Sequence, residues 1–207
     1  MNPPRDSALT EWLLRAFGLL AYGFGVANLF QAWWSDPSRW TVLLLLVFES
    51  YTLLLVLIAR RASARDASAM AMALTAYAAF YFVLIEPRDN TRLIAESAGV
   101  ALQLMGAACQ FSAKLMLGRS FGLLPAQRGV VVAGPYRLVR HPIYLGYLIA
   151  HAGFLLVNFS WRNLAVFALL YAVQVLRIER EEALLAESEA YRAYQQRVRW
   201  RLLPFVF

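Results

Sequence analysis

Cysteine is nearly absent from the 207 residues: Cys109 stands alone, inside an apolar segment, which excludes an intrachain disulfide and leaves a small buried hydrophobe. Histidine is almost as scarce. His141 and His151 are ten residues apart, about 15 Å along a helix, so they cannot supply the histidine cluster of a membrane di-iron enzyme or a zinc protease. No metal is expected. Charged residues make up only 16%, and Lys114 is the single lysine. The net charge of +7 is scattered between apolar segments and forms no aromatic-interleaved patch, which argues against nucleic acid as a partner. The chain also lacks the paired half-and-half repeat often visible in transporters.

What is present is apolar. Hydrophobic residues make up 60% of the chain and the mean hydropathy is +0.51, which points to an all-α polytopic membrane protein, a single membrane domain over residues 1–207. About six transmembrane helices are expected. The first four spans, within residues 1–117, run from about Trp12 to Trp34, Trp40 to Ala59, Ala67 to Ile85 and Leu93 to Leu117, each near the roughly 20 residues a bilayer core requires. Gly18, Ala21 and Gly25 allow close helix approach in the first span, and Trp33, Trp34 and Trp40 bracket a turn as an interfacial belt. Glu49 lies mid-span and should face the protein interior. Lys114 reads as a snorkelling lysine.

A long loop from Gly118 leads to a fifth helix, Pro142 to about Phe159, about 27 Å long. Ser160-Trp161-Arg162-Asn163 then turns into a sixth, from about Leu164 to Ile178, so the last two helices form a short hairpin. Beyond it the composition becomes charged, and Leu184, Tyr191 and Val198 recur every seven residues, as on one face of a C-terminal amphipathic helix at the membrane surface. Six spans put sixteen basic residues on one side and only Arg39, Arg88, Arg92 and Arg162 on the other. That asymmetry makes both termini cytoplasmic.

Polar, proline and glycine residues crowd into Gly134-Pro135-Tyr136-Arg137-Leu138-Val139-Arg140-His141-Pro142-Ile143-Tyr144-Leu145-Gly146. Pro142 is suited to start a helix with His141 at its cap. The free N–H groups there, beside Arg137, Arg140 and His141, would form a carboxylate or phosphate site, or the loop would simply anchor the chain at lipid headgroups.

Gly-Pro-Tyr-x-x-x-Arg-His-Pro-x-Tyr-x-Gly, then Asn158, Arg177-x-x-x-Glu181-Glu182 and Tyr191-x-x-Tyr194-x-x-Arg197-Val198, resembles the isoprenylcysteine carboxyl methyltransferase and phospholipid methyltransferase superfamily. The likeness covers about Gly118 to Pro204. Arg199 stands where the family usually has a proline after Arg-Val. The resemblance implies an integral membrane enzyme that transfers a methyl group from S-adenosylmethionine to an amphiphilic acceptor arriving laterally from the bilayer. It implies cofactor contacts at Gly134, Pro135, Tyr136, His141, Pro142, Tyr144, Leu145, Gly146 and Glu181, and binding or catalytic roles for Arg140, Asn158, Arg177, Glu181 and Glu182. An isoprenylcysteine-type carboxylate leads as acceptor, ahead of a phospholipid amine or a thiol. A bacterial inner membrane, with the site on its cytoplasmic face, is the expected location.

Two rivals differ in class. A sterol-type membrane reductase would share the C-terminal helices, but the chain has no additional arginine cluster for a nicotinamide cofactor's phosphate. A transporter or scaffold would explain the spans and Glu49, but not why a glutamate pair matches the loop motif.

Overall fold

The computed structural model describes residues 5–58, 69–117 and 131–207. The expected start of the third span at Ala67, the loop from Gly118, and Arg60, Arg61, Arg65, Arg119 and Arg128 lie outside them. Seven α-helices follow in order among the described residues: α1 Arg5–Ser35, α2 Trp40–Ile58, α3 Ala69–Phe80, α4 Glu96–Leu117, α5 Pro142–Val157, α6 Trp161–Leu185 and α7 Glu189–Arg197. Short 3₁₀ turns cover Tyr81–Leu84 and Gly134–Arg137. Helices joined by short connections make up the described part, without a named strand.

Local chemistry accounts for the boundaries. Pro37 ends the first helix, where Asp36 Oδ1 accepts from the Ser38 amide at 3.2 Å and its hydroxyl at 2.6 Å. Glu96 Oε1 accepts from the Thr41 amide and hydroxyl, both at 2.7 Å, so the first turn of α4 neutralises the start of α2. Between α3 and α4 the chain pairs with the end of α5, with Thr91 and Phe159 exchanging both backbone bonds at 2.9 and 3.0 Å. One apolar cluster, including Leu29, Leu45, Phe82, Phe154, Phe167 and Leu170, joins α1, α2, α5, α6 and the Tyr81–Leu84 turn.

Glycine sets the closest helix approach. A Cβ on Gly106 would lie 2.4 Å from the Gly146 carbonyl oxygen, and one on Gly153 2.7 Å from that of Gly99. Antiparallel α4 and α5 therefore touch backbone to backbone at two levels, seven residues apart on each helix. Gly25 is also closely covered, its Cβ direction ending 2.5 Å from Phe82, whereas Gly18 meets Phe80 at an ordinary 3.5 Å.

The hairpin is asymmetric. At 1.5 Å per residue α5 spans about 24 Å and α6 about 37 Å, so α6 runs past the start of α5. The sixth helix thus ends at Leu185 and not at Ile178. Glu, Arg, Ala and Leu all favour helix, so the charged segment changes the helix's surroundings without breaking it. Its start also moves, to Trp161, because the Ser160 hydroxyl caps it by accepting from the Asn163 amide at 3.1 Å.

The seven-residue repeat of Leu184, Tyr191 and Val198 does not form one helical face. Leu184 is exposed on α6, Tyr191 lies on α7, and Val198 follows its end. The buried set is Tyr191, Tyr194 and Val198, packed on Leu185. Among the described residues one helix, Trp161–Leu185, is long and apolar enough to cross a membrane; Trp40–Tyr51, Ala73–Leu84 and Pro142–Val157 are shorter apolar stretches.

Candidate active site

The segment before α5 is shaped by Gly134, whose φ of +55° is a conformation that L side chains rarely adopt. It opens the 3₁₀ turn Gly134–Arg137, with Pro135 in its first positions, and buries Tyr136. The Tyr194 hydroxyl of α7 donates to the Tyr136 carbonyl at 2.8 Å. His141 caps α5 by position, and its side chain makes no cap bond. Its backbone N–H and that of Arg140 instead donate to the carbonyls of Arg201 and Trp200, at 2.8 and 2.9 Å.

Both of these side chains point at one carboxylate. Arg140 Nε and Nη2 donate to the two oxygens of Glu182 at 2.6 and 3.0 Å, His141 Nε2 lies 3.1 Å from Oε1, and Arg201 Nε donates to Oε2 at 2.8 Å. Arg140 Nη1 also donates to the carbonyls of Val198 and Arg199, each at 2.8 Å. Burial would raise the Glu182 pKa, but the bonds from His141, Arg140 and Arg201 outweigh it and hold the carboxyl well below its usual range. A carboxylate so encircled is a poor base. Arg140 and His141 are correspondingly occupied, which leaves exposed Arg137 as the unabsorbed cation of the expected anion site.

A second group lies on the face of α6 toward α5. Arg177 and Glu181 are one turn apart, about 6 Å in rise. The Arg177 guanidinium sits 5.9 Å from the Tyr144 ring centroid and donates to Gln174 Oε1 at 3.1 Å. Tyr144 reaches Glu181 Oε2 through a long contact of 3.5 Å. Burial, then Tyr194, Glu181 and Cys109, push the Tyr136 phenol up. The group offers a guanidinium with a neutral partner, a carboxylate with one weak partner, and an aromatic wall in Tyr144. That set suits a ligand carrying both charge signs next to a cation-tolerant apolar surface.

Several sequence-predicted residues have other work here. Gly146 faces α4, where a Cβ would meet the Gly106 carbonyl at 2.6 Å, so it is a packing glycine. Pro142 is buried, and its carbonyl accepts the Cys109 thiol at 3.4 Å. The Leu145 amide closes the first α5 turn on the His141 carbonyl at 3.1 Å. Asn158 is not brought to the site: it ends α5, about 24 Å from its start, where Oδ1 accepts from Arg39 at 2.8 Å and Nδ2 donates to Thr41 and Phe154, each at 3.0 Å. Gln174 and Arg201 join the two clusters without a sequence signal beyond helical spacing for Gln174. Among the described residues no three His, Cys, Asp or Glu side chains gather to hold a metal ion.

Residues 94–193 match the model of the phospholipid methyltransferase family. The matched stretch runs from just before α4 into α7 and contains Arg140, His141, Tyr144, Gln174, Arg177, Glu181 and Glu182, while Tyr194, Val198, Arg199 and Arg201 lie beyond it. No curated protein matches the chain.

Proposed function

We propose that this chain, whose residues 94–193 belong to the superfamily of membrane methyltransferases that embraces the phospholipid and isoprenylcysteine carboxyl enzymes, transfers a methyl group from S-adenosylmethionine to a lipophilic acceptor. The observation that carries the proposal is the juxtaposition of Tyr144, Arg177 and Glu181. Bound S-adenosylmethionine would supply an electrophilic methyl on a sulfonium sulfur. Glu181 would accept from its ammonium group, and Tyr136 and Tyr144 would give the apolar walls that keep water out. Arg177 would hold an anionic part of the acceptor. The cluster around Glu182 holds these groups in register by tying the start of α5 to the end of α6 and to residues 198–201.

An isoprenylcysteine-type carboxylate needs a guanidinium and no base, and Arg177 meets that need. A phospholipid-type amine is the second reading, favoured by the family match. The protein would sit in a bacterial inner membrane with six spans, its termini and site cytoplasmic, and would take its acceptor from the bilayer. Purified protein offered labelled S-adenosylmethionine with lipid extracts, prenylcysteine analogues and thiols should label one class, and labelling of none would overturn the proposal. Calorimetry should show S-adenosylhomocysteine binding and no NADPH binding; the reverse would favour the reductase.

A further inference from the structure

The helices bury a second polar system that the site above does not use. Glu49 on α2 is 7% exposed, and its Oε1 accepts from the Tyr81 hydroxyl at 2.7 Å. The Tyr81 oxygen lies 2.8 Å from His151 Nε2 on α5, and His151 Nδ1 lies 2.7 Å from the Tyr171 hydroxyl on α6. The first bond orients the rest. Tyr81 gives its one proton to Glu49, so its oxygen accepts from His151, Nε2 carries the ring hydrogen, and the bare Nδ1 accepts from Tyr171.

The result is an unbroken line of donors pointing at a carboxylate, walled by Phe167, whose ring lies 5.0 Å from that of His151. An apolar set of similar volume would hold the helices together at least as well, so a carboxylate at the end of the line invites a chemical use. The other end lies between the same two helices as the site, α5 and α6. Half-buried Tyr171 precedes Arg177 by six residues, about 9 Å along α6. Tyr147, one turn after Tyr144, stacks on His151 at 6.0 Å.

We propose that Tyr171, His151, Tyr81 and Glu49 form a proton-accepting line for an acceptor headgroup lying between Arg177 and Tyr171, and that this headgroup is a lipid ammonium. The proposal rests on the methyl-transfer reading and names its substrate class. An ammonium has no lone pair with which to attack a methyl group, so it first loses a proton. One N–H bond of the headgroup breaks and its proton joins the Tyr171 oxygen. Tyr171's own proton passes to Nδ1, the Nε2 hydrogen passes to Tyr81, and Tyr81's proton forms an O–H bond on Glu49 Oε1. The ammonium and the carboxylate become an amine and a carboxylic acid, and the electron pair left on nitrogen is the nucleophile. Once the product has left, the Glu49 O–H bond breaks, each proton of the line steps back, and the one released from the Tyr171 oxygen passes to water entering the vacated site. A carboxylate acceptor has no proton to lose and does not need the line.

The test compares wild type with Glu49→Gln, offering phosphatidylethanolamine vesicles and a prenylcysteine carboxylate. Wild type should methylate the amine. The variant should lose about a hundredfold in kcat on it with KM and S-adenosylhomocysteine affinity unchanged, the size expected for loss of a positioned base. Retained amine turnover, or transfer by wild type to the carboxylate and not the amine, overturns the proposal. A readout without turnover is infrared difference spectroscopy on adding the amine lipid to protein holding S-adenosylhomocysteine. A carboxylic-acid band present in wild type and absent from Glu49→Gln supports the line, and its absence from wild type overturns it. Failure to bind S-adenosylhomocysteine would instead sink the methyl-transfer reading itself.

Discussion

Arg140 and Glu182, 42 residues apart, meet through two parallel bonds of 2.6 and 3.0 Å, with their side chains 7% and 4% exposed. Removing one side of a buried pair leaves the other charge without compensation, which costs about 3–5 kcal/mol. Glu182→Ala should therefore lower the thermal midpoint of the detergent-solubilised protein sharply. Arg201→Ala, whose side chain is 36% exposed, should cost much less, roughly 1 kcal/mol or below. Equal midpoints for Glu182→Ala and wild type would show that the pair does not hold the helix ends.

Acid should reveal the same group. Folding lowers the Glu182 pKa from its ordinary 4.5, so its contribution is complete above that value and is lost as pH falls toward the folded value. Denaturant midpoints measured from pH 7 down to pH 3 should decline more steeply below about pH 4.5 in wild type than in Glu182→Gln. A parallel decline would assign the acid sensitivity elsewhere.

Arg177 and Glu181 should behave differently from Glu182, because each has few partners in the fold. Loss of a charge-assisted contact costs about 1.5–3 kcal/mol, or roughly tenfold to a hundredfold. Glu181→Ala should weaken S-adenosylhomocysteine binding by that factor, and Arg177→Ala should raise the acceptor KM, both with near-native melting. A large loss of stability in either would mean that the residue is structural.

The glycine contacts predict a contrast between two alanine substitutions. Gly106→Ala brings a Cβ to 2.4 Å from backbone that cannot move aside, and overpacking of this kind costs about 1–3 kcal/mol. Gly23→Ala meets nothing within 4 Å and should be neutral or stabilising by about 0.5–1 kcal/mol. Unfolding of the two variants in detergent checks the sign of each.

Much of this architecture was legible because it is local. Pro142 announces a helix start, and apolar runs bounded by Pro37, Pro87 and Ser160 mark most helices. The Arg177/Glu181 pair came with the motif resemblance, and its four-residue spacing puts both residues on one side of α6. What escaped is set by partners far along the chain. Nothing near Glu182 says that Arg201 will close on it, and nothing near Gly146 says that its empty side faces Gly106. Asn158 follows the motif in sequence, yet the length of α5 carries it to the opposite end. The charged stretch after Ile178 looks in sequence like the end of the helix, and is only a change in that helix's surroundings.

At Gly99, Gly106, Gly146 and Gly153, α4 and α5 come so close that a backbone carbonyl of one helix lies where a Cβ of the other would stand. Around Arg177 and Glu181, α5 and α6 instead meet through long side chains that can be exchanged singly. The molecule thus separates an immutable frame from an adjustable wall. Substitutions along the α5-facing side of α6 offer a route by which a protein of this shape could acquire a new acceptor without rebuilding its scaffold.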